Sequence, residues 1–212
     1  MQVKYSLSQL GEILKQKLKQ PLPGALAHEP LRATPVGSVF PDFNHKSPPK
    51  PGAVLILLYE KDGEILFPLI QRSEYTGAHS GQISLPGGKV ESGEDFFQTA
   101  LREGQEEIGI NPNTIEIIGR LSDFFVIPSN FMVVPVIAIS TQQPQFTADP
   151  VEVQSIISGS LFSLLDDDAI NTKEIIAAGM YRMNAPHFEV EGQIVWGATA
   201  MILNELRTLI KY

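Results

Sequence analysis

Residues 84–110, SLPGGKVESGEDFFQTALREGQEEIGI, decide the reading of this chain. Ser92 followed three residues later by Asp95 has capping-box spacing, which predicts a helix beginning just after Glu91. Gly109 stands where a left-handed residue would end that helix. At about 100° per residue, Phe97, Ala100, Leu101, Gly104 and Ile108 share one arc, a stripe predicted to face a core. Glu103, Glu106 and Glu107 share a second arc. Carboxylates at i, i+3 and i+4 repel one another by roughly 0.2–0.5 kcal/mol per pair. They also occupy the C-terminal half of the helix, where the macrodipole disfavours negative charge. Local stability does not select this arrangement.

Two readings of the acidic arc stay open on the residues alone. One is a solvated acidic face, partly neutralised by Arg102 one turn before Glu106. The other is a site for a hard divalent cation, Mg²⁺ or Mn²⁺, which takes oxygen ligands and shares its remaining positions with water and substrate phosphates.

The spacing upstream bears on that choice. Gly88, five residues, Glu94, seven residues, then Arg102-Glu103, Glu106-Glu107 and Gly109-Ile110 resemble the Nudix box, G-x5-E-x7-R-E-U-x-E-E-x-G-U, where U is bulky and aliphatic. One departure is Gly104 at the first U position. It lies on the core stripe, so it predicts a closer approach of helix to sheet and ~1 kcal/mol less helix propensity than alanine. The resemblance implies an α/β fold: a Nudix-type α/β/α sandwich with a mixed β-sheet and a catalytic loop–helix–loop. It implies that Glu103 and Glu107 are the principal metal ligands and that Glu106 is an auxiliary ligand or general base. Gly88 would bring a backbone carbonyl to the metal, while Glu94 and Arg102 brace the loop and orient the ligands. The implied reaction is hydrolysis of a diphosphate joined to a second moiety.

Further upstream, Arg72-Ser73, Gly81 and Pro86-Gly87-Gly88 resemble the extended motif of the coenzyme A pyrophosphatase branch, L-L-T-x-R-S-x3-R-x3-G-x-V-x-F-P-G-G. Ile83 and Leu85 replace Val and Phe conservatively, and Ile194–Ala200 resembles that branch's entry to its C-terminal helix. Gly77 stands where the motif has a second arginine, a lost cation beside an anionic substrate. The resemblance implies that Arg72 and Ser73 bind substrate, and that coenzyme A or an acyl derivative is cleaved to 3′,5′-adenosine bisphosphate and 4′-phosphopantetheine. The alternatives are a Nudix enzyme for ADP-ribose, a dinucleotide or a nucleoside triphosphate, and a catalytically silent nucleotide-binding regulator. Family analogy also allows a homodimer.

Outward from the motifs, Leu7, Leu10, Ile13, Leu14 and Leu18 recur at helical spacing and predict an amphipathic helix over 6–19. Residues 21–51 hold eight of the sixteen prolines and read as an irregular extension, so the expected division is an N-terminal segment, 1–50, and a Nudix domain, 51–212. AVLILLYE, 53–60, is apolar without alternation, a strand buried on both faces. Lys61-Asp62-Gly63 predicts a turn to EILFPLIQR, 64–72, where Pro68 suggests an edge or a bulge. TIEIIGRLSDFFV, FMVVPVIAIS and VEVQSIIS read as further strands. Residues 194–212 read as a closing helix with Ala198, Met201, Ile202, Leu206 and Ile210 on its core face, and Trp196 near its start as packing.

Other polar residues carry less. His79 sits in a loop-like sequence, His28, His45 and His187 receive no assignment, and Asp166–Asp168 reads as a turn or helix cap. Glu152 has two readings: a later-loop acid of the kind Nudix enzymes recruit, or one solvent-facing position of an alternating strand. Phe124-Phe125 and Ser129–Phe131 bound a loop near the expected substrate pocket.

With 212 residues, 43% hydrophobic, there is ample chain for a sizeable core. Sixteen basic against 24 acidic side chains give a net charge of −8, which argues against a nucleic-acid backbone binder. There is no cysteine, which excludes disulfides, thiolate zinc sites and cysteine nucleophiles. The longest apolar runs fall short of the ~20 residues of a membrane span, and no secretory signal is apparent, so a cytoplasmic protein without membrane partners is the expectation.

Overall fold

The computed structural model describes residues 5–37, 43–74, 79–177 and 179–212. Ser6 caps the first helix, α1 (Leu7–Lys17), in a reciprocal capping box with Gln9. The proline-rich stretch that follows holds a short helical turn, α2 (Ala25–His28), continued by a 3₁₀ turn (Glu29–Leu31), and a two-residue strand, β1 (Thr34–Pro35). A long hairpin comes next, β2 (Lys50–Lys61) and β3 (Glu64–Arg72), with Asp62 and Gly63 both at positive φ as a two-residue hairpin turn requires. Two short strands, β4 (Ile83–Ser84) and β5 (Gly87–Lys89), lead into α3 (Phe96–Ile108). Then come β6 (Ile115–Arg120), β7 (Phe124–Val126), β8 (Phe131–Ser140) and β9 (Val153–Ser160), followed by a short α4 (Leu161–Leu165). The chain continues through β10 (Asn171–Ala177), β11 (Tyr181–Val190) and β12 (Gln193–Trp196) to α5 (Gly197–Lys211).

β2 is the axis of an eight-stranded mixed sheet. It runs parallel to β8 and pairs antiparallel with β5 near its start and with β3 at its end. Its side chains alternate between two cores. Ala53, Leu55 and Leu57 meet Ala100 and Ile108 of α3 on one face; Ile56 and Leu58 meet Leu10 and Leu14 of α1 and Leu203 and Leu206 of α5 on the other. The helices on both faces are the expected α/β/α sandwich, and burial of both sets explains why the strand reads as an unbroken apolar run. Pro68 lies beyond the last β2–β3 pair, Tyr59–Leu66, where no N–H is needed toward β2. The bulge in β3 falls later, at Gln71/Arg72.

The segment before β2 shares this core. Leu7, Leu10, Leu14 and Leu31 belong to the same cluster as Ile56 and Leu206. Glu205 of α5, fully buried, fastens the segment: it accepts hydrogen bonds from Gly24 N (3.0 Å), Ser122 N (3.2 Å) and Ser122 Oγ (2.6 Å), and pairs with His28 Nε2 at 2.9 Å. Phe124 meets the His28 ring edge-on at 5.0 Å.

Four details correct the sequence reading. α3 begins at Phe96 with Asp95 as its cap and Gln98 reciprocating, not after Glu91; Gly93 at φ 91° cannot continue a helix. Phe97 is partly exposed at 37%, and Thr99 is buried in its place. Residues 194–196 form β12 against His187–Phe188–Glu189 of β11, so the closing helix starts at Gly197. Helix α5 is buried from Ala200 onward on several sides rather than along one stripe, because α1, α2, α4 and the small sheet of β1, β10, β11 and β12 surround it. Among the described residues no helix is long and apolar enough to cross a membrane.

Candidate functional site

Gly87 and Gly88 set the floor of the site. β5 lies against the start of β2, with Gly87 opposite Val54 and Gly88 opposite Ala53. A Cβ on Gly87 would strike the Ala53 carbonyl, and one on Gly88 would strike the Glu103 carboxylate. Glycine at 87 therefore lets β5 lie close against β2, and glycine at 88 leaves room for the Glu103 carboxylate of α3 on this strand. Gly104 does the same one turn on: a Cβ there would lie 2.8 Å from side-chain atoms of Leu55 and Ile110, the close helix–sheet approach expected of it. Gly109 closes α3 at φ 71°.

Arg102 organises the acidic arc. Its Nε donates to Glu94 Oε1 at 2.8 Å and its Nη2 to Glu94 Oε2 at 3.2 Å; Nη1 reaches Glu103 Oε1 at 2.9 Å and Glu106 Oε2 at 2.8 Å. Nη2 also donates to the Lys89 carbonyl at 3.0 Å, tying the glycine strand to the helix. Glu94 accepts from Thr99 Oγ1 and Glu91 N as well, and Arg102 above all holds its pKa down to about 2. Glu94 is thus a fixed anchor for the loop between β5 and α3.

Glu107 is handled differently. Only 2% of it is exposed; Gly87 N–H donates to its Oε2 at 2.8 Å, and Arg72 Nη1 lies 3.6 Å from its Oε1. Burial pushes its pKa up to about 7 despite these partners, and the negative charges of Glu103 and Glu152 push the same way. Burial also raises Glu103. Glu152 lies in the turn before β9, exposed, close enough for its charge to act on both carboxylates. That turn is pinned to the helix end: Asp149 N–H donates to the Glu107 carbonyl at 3.0 Å, and Asp149 Oδ1 accepts from Glu152 N at 2.9 Å. The Glu152 carbonyl in turn receives Ser73 N–H at 3.0 Å. Glu152 therefore sits on a loop before the strand, not at a solvent-facing position of an alternating strand, the second of its two sequence readings.

The structure therefore brings Gly88, Glu94, Arg102, Glu103, Glu106 and Glu107 to one end of the sheet, with Arg72 across from Glu107. Ser73 meets the group through its backbone. His79 stands close by, its Nδ1 3.1 Å from Gln82 Oε1, and burial lowers its pKa, with a smaller push from Arg72. Gly77 lies outside the described residues. His28, unassigned in the sequence, is buried in the Glu205 network and not in this site.

Two guanidinium groups here face five carboxylates, two of them with their charged form disfavoured. The donors are all oxygen, so the set suits a hard divalent cation and no soft one. Among the described residues no three acidic or histidine side chains are gathered around one point; Arg102 holds Glu106 and one oxygen of Glu103, leaving Glu103 Oε2 and Glu106 Oε1 outside those ion pairs.

The model for the NUDIX domain family matches residues 49–168. Nudix hydrolase 22, chloroplastic, of Arabidopsis thaliana is 33% identical over 171 residues, covering 76% of this chain and 56% of that protein. Nudix hydrolase NudL of Salmonella dublin, itself uncharacterized, is 32% identical over 169 residues, covering 78% of this chain and 86% of that protein. Nudix hydrolase 15, mitochondrial, of Arabidopsis is 35% identical over 162 residues; this chain spans 56% of the length of either Arabidopsis relative. Among solved structures, a MutT/nudix family protein from Enterococcus faecalis superposes with a TM-score of 0.50 over 98% of this chain and 75% of that one, at 17% identity, a likeness of fold alone.

Proposed function

The chain belongs to the Nudix hydrolase family, and on that premise we propose that it hydrolyses the diphosphate of coenzyme A or an acyl-coenzyme A, using Mg²⁺ or Mn²⁺. The observation that carries the reading is the Glu103–Glu107 pair seated on Gly87-Gly88 with Arg72 opposite. Glu103, Glu107 and the Gly88 carbonyl would hold the metal, with Glu106 as the auxiliary carboxylate. Bound there, a divalent ion neutralises charge on the phosphoryl oxygens and lowers the pKa of an attacking water. Arg102 and Glu94 keep the helix and its preceding loop in register, so the backbone that carries the ligands is held in place while their side chains turn to the metal. Arg72 and Ser73 take the substrate phosphate. Glu106, the exposed member of the arc, accepts the proton of the water, and the Glu152 charge favours cation binding from the far side.

Coenzyme A is preferred because Arg72, Ser73, Gly81 and Pro86-Gly87-Gly88 match that branch in identity and spacing. Gly77, in place of the motif's second arginine, favours the second reading: ADP-ribose, a dinucleotide or a nucleoside triphosphate. A silent nucleotide-binding regulator fits less well, since Glu94, Glu103, Glu106 and Glu107 are all present. With the proposal go a cytoplasmic location and, by family analogy, a homodimer. The test is a product assay with Mg²⁺ and, separately, Mn²⁺, offering coenzyme A, ADP-ribose, NADH and a nucleoside triphosphate in parallel. Preferential release of 3′,5′-adenosine bisphosphate supports the coenzyme A reading; preferential cleavage of another member discards it and keeps the hydrolase.

A further inference from the structure

Strand β4 carries an unexplained hydroxyl. Ser84 Oγ is buried from solvent and has no hydrogen-bond partner. Its neighbours Ile83 and Leu85 point into the core shared with α1 and α5, and Thr199 Oγ1 donates to the Ile83 carbonyl from that side. Alternation places Gln82 and Ser84 on the opposite face, the α3 face. Register confirms it: Ser84 pairs with Ile70, a member of the core under α3, and Gln82 sits beside Arg72, whose N–H donates to the Gln82 carbonyl at 3.0 Å. Ser84 is therefore diagonal to Arg72 across β3 and β4, and three residues before Gly87, whose N–H holds Glu107.

A buried, unpaired hydroxyl destabilises a fold, and alanine of the same backbone conformation would serve better there. The cost is repaid if an oxygen acceptor arrives beside Arg72. We infer that Ser84 is a substrate-binding residue: its hydroxyl donates to a non-bridging phosphoryl oxygen of the diphosphate that Arg72 engages. This deepens the proposed function and rests on it for the identity of the ligand as a diphosphate. A neutral donor beside one guanidinium binds the anion without adding a cation that would compete with the metal for Glu107.

The experiment is Ser84→Ala, with Ser84→Thr as the variant that keeps the hydroxyl. Thermal unfolding of the metal-free protein and steady-state kinetics on the cleaved diphosphate are read together. Expected for Ser84→Ala is a melting temperature equal to wild type or ~2–4 °C higher, with kcat/KM lowered about tenfold or more and partial recovery in Ser84→Thr. A more stable Ser84→Ala protein with kcat/KM within twofold of wild type overturns the inference, since the hydroxyl is then only a flaw in packing. If wild type cleaves none of the diphosphates offered, binding of α,β-methylene-ADP with Mg²⁺ is measured by calorimetry. Weaker binding by Ser84→Ala then supports the inference while the proposed hydrolysis fails; equal binding, or none by either protein, overturns it.

Discussion

Arg102 and Glu94 meet in a two-pronged ion pair, Nε to Oε1 at 2.8 Å and Nη2 to Oε2 at 3.2 Å, and the same guanidinium also reaches Glu103, Glu106 and the Lys89 carbonyl. A planar fork is needed for that geometry, which an ammonium cannot reproduce. Arg102→Lys is expected to lower metal affinity and turnover 10–100-fold with the far-ultraviolet spectrum unchanged. Calorimetric titration with Mn²⁺ checks it; wild-type affinity in the variant would remove Arg102 from ligand orientation.

Glu107 should give the metal-free protein an unusual pH dependence. Its folded pKa of about 7 exceeds the ~4.3 of an unfolded glutamate. Between those values the native state keeps a proton that the unfolded chain has released, so stability falls as pH rises from ~4.5 to ~7. Glu103 acts in the same direction. Glu107→Gln, still able to accept from Gly87 N–H, should flatten that part of the slope. Added Mg²⁺ or Mn²⁺ should stabilise wild type more at pH 8 than at pH 5, because ionised ligands are required. Thermal unfolding across that range reads both effects.

The two glycines at the contact of α3 with the sheet, Gly88 on β5 and Gly104 on the helix, should respond differently to alanine. In Gly88→Ala the new methyl occupies the place of the Glu103 carboxylate, so metal affinity and activity should drop at least tenfold. In Gly104→Ala it meets only the flexible ends of Leu55 and Ile110. There about 1 kcal/mol of helix propensity offsets an overpacking cost of ~1–3 kcal/mol, leaving a small destabilisation and an active enzyme. Side-by-side denaturant unfolding and kinetics distinguish the pair.

Glu205→Ala should be among the most destabilising single changes. It removes the acceptor for Gly24 N, Ser122 N and Ser122 Oγ and the partner of His28, inside the protein. Loss of ~3–5 kcal/mol is expected, with hydrogen exchange accelerating first in residues 24–31. The folded pKa of Glu205 is depressed, chiefly by its His28 and Ser122 hydrogen bonds outweighing burial. Its contribution is present above the unfolded value of ~4.3 and lost as pH falls through the folded one.

Particular residues explain which features could be read from the sequence. Arg102, Glu103, Glu106 and Glu107 lie on one helix, so their arc follows from helical periodicity; Gly88 and Glu94 precede that helix, and their place was implied by the resemblance to the Nudix box. Asp62-Gly63 likewise marks its hairpin without outside help. Glu205 defeats the same logic, because a glutamate on an amphipathic helix reads as solvent-facing until Gly24, His28 and Ser122 are brought to it from distant parts of the chain. The small sheet was equally hidden: Asn171–Ala177 is mostly polar, and Pro186 interrupts Tyr181–Val190. Ser92 competes with Asp95 as a cap on composition alone; Gly93 at positive φ decides between them. Ser84 and Glu152 join the site through β3 pairing and a turn, neither of which periodicity encodes.

The most direct test of metal-dependent diphosphate hydrolysis compares wild type with Glu107→Gln on the same four substrates, in Mg²⁺, in Mn²⁺ and in EDTA. The account predicts cleavage by wild type only when metal is present, and a loss of at least a thousandfold in the folded variant. Cleavage that persists in EDTA, or that survives Glu107→Gln undiminished, would contradict it.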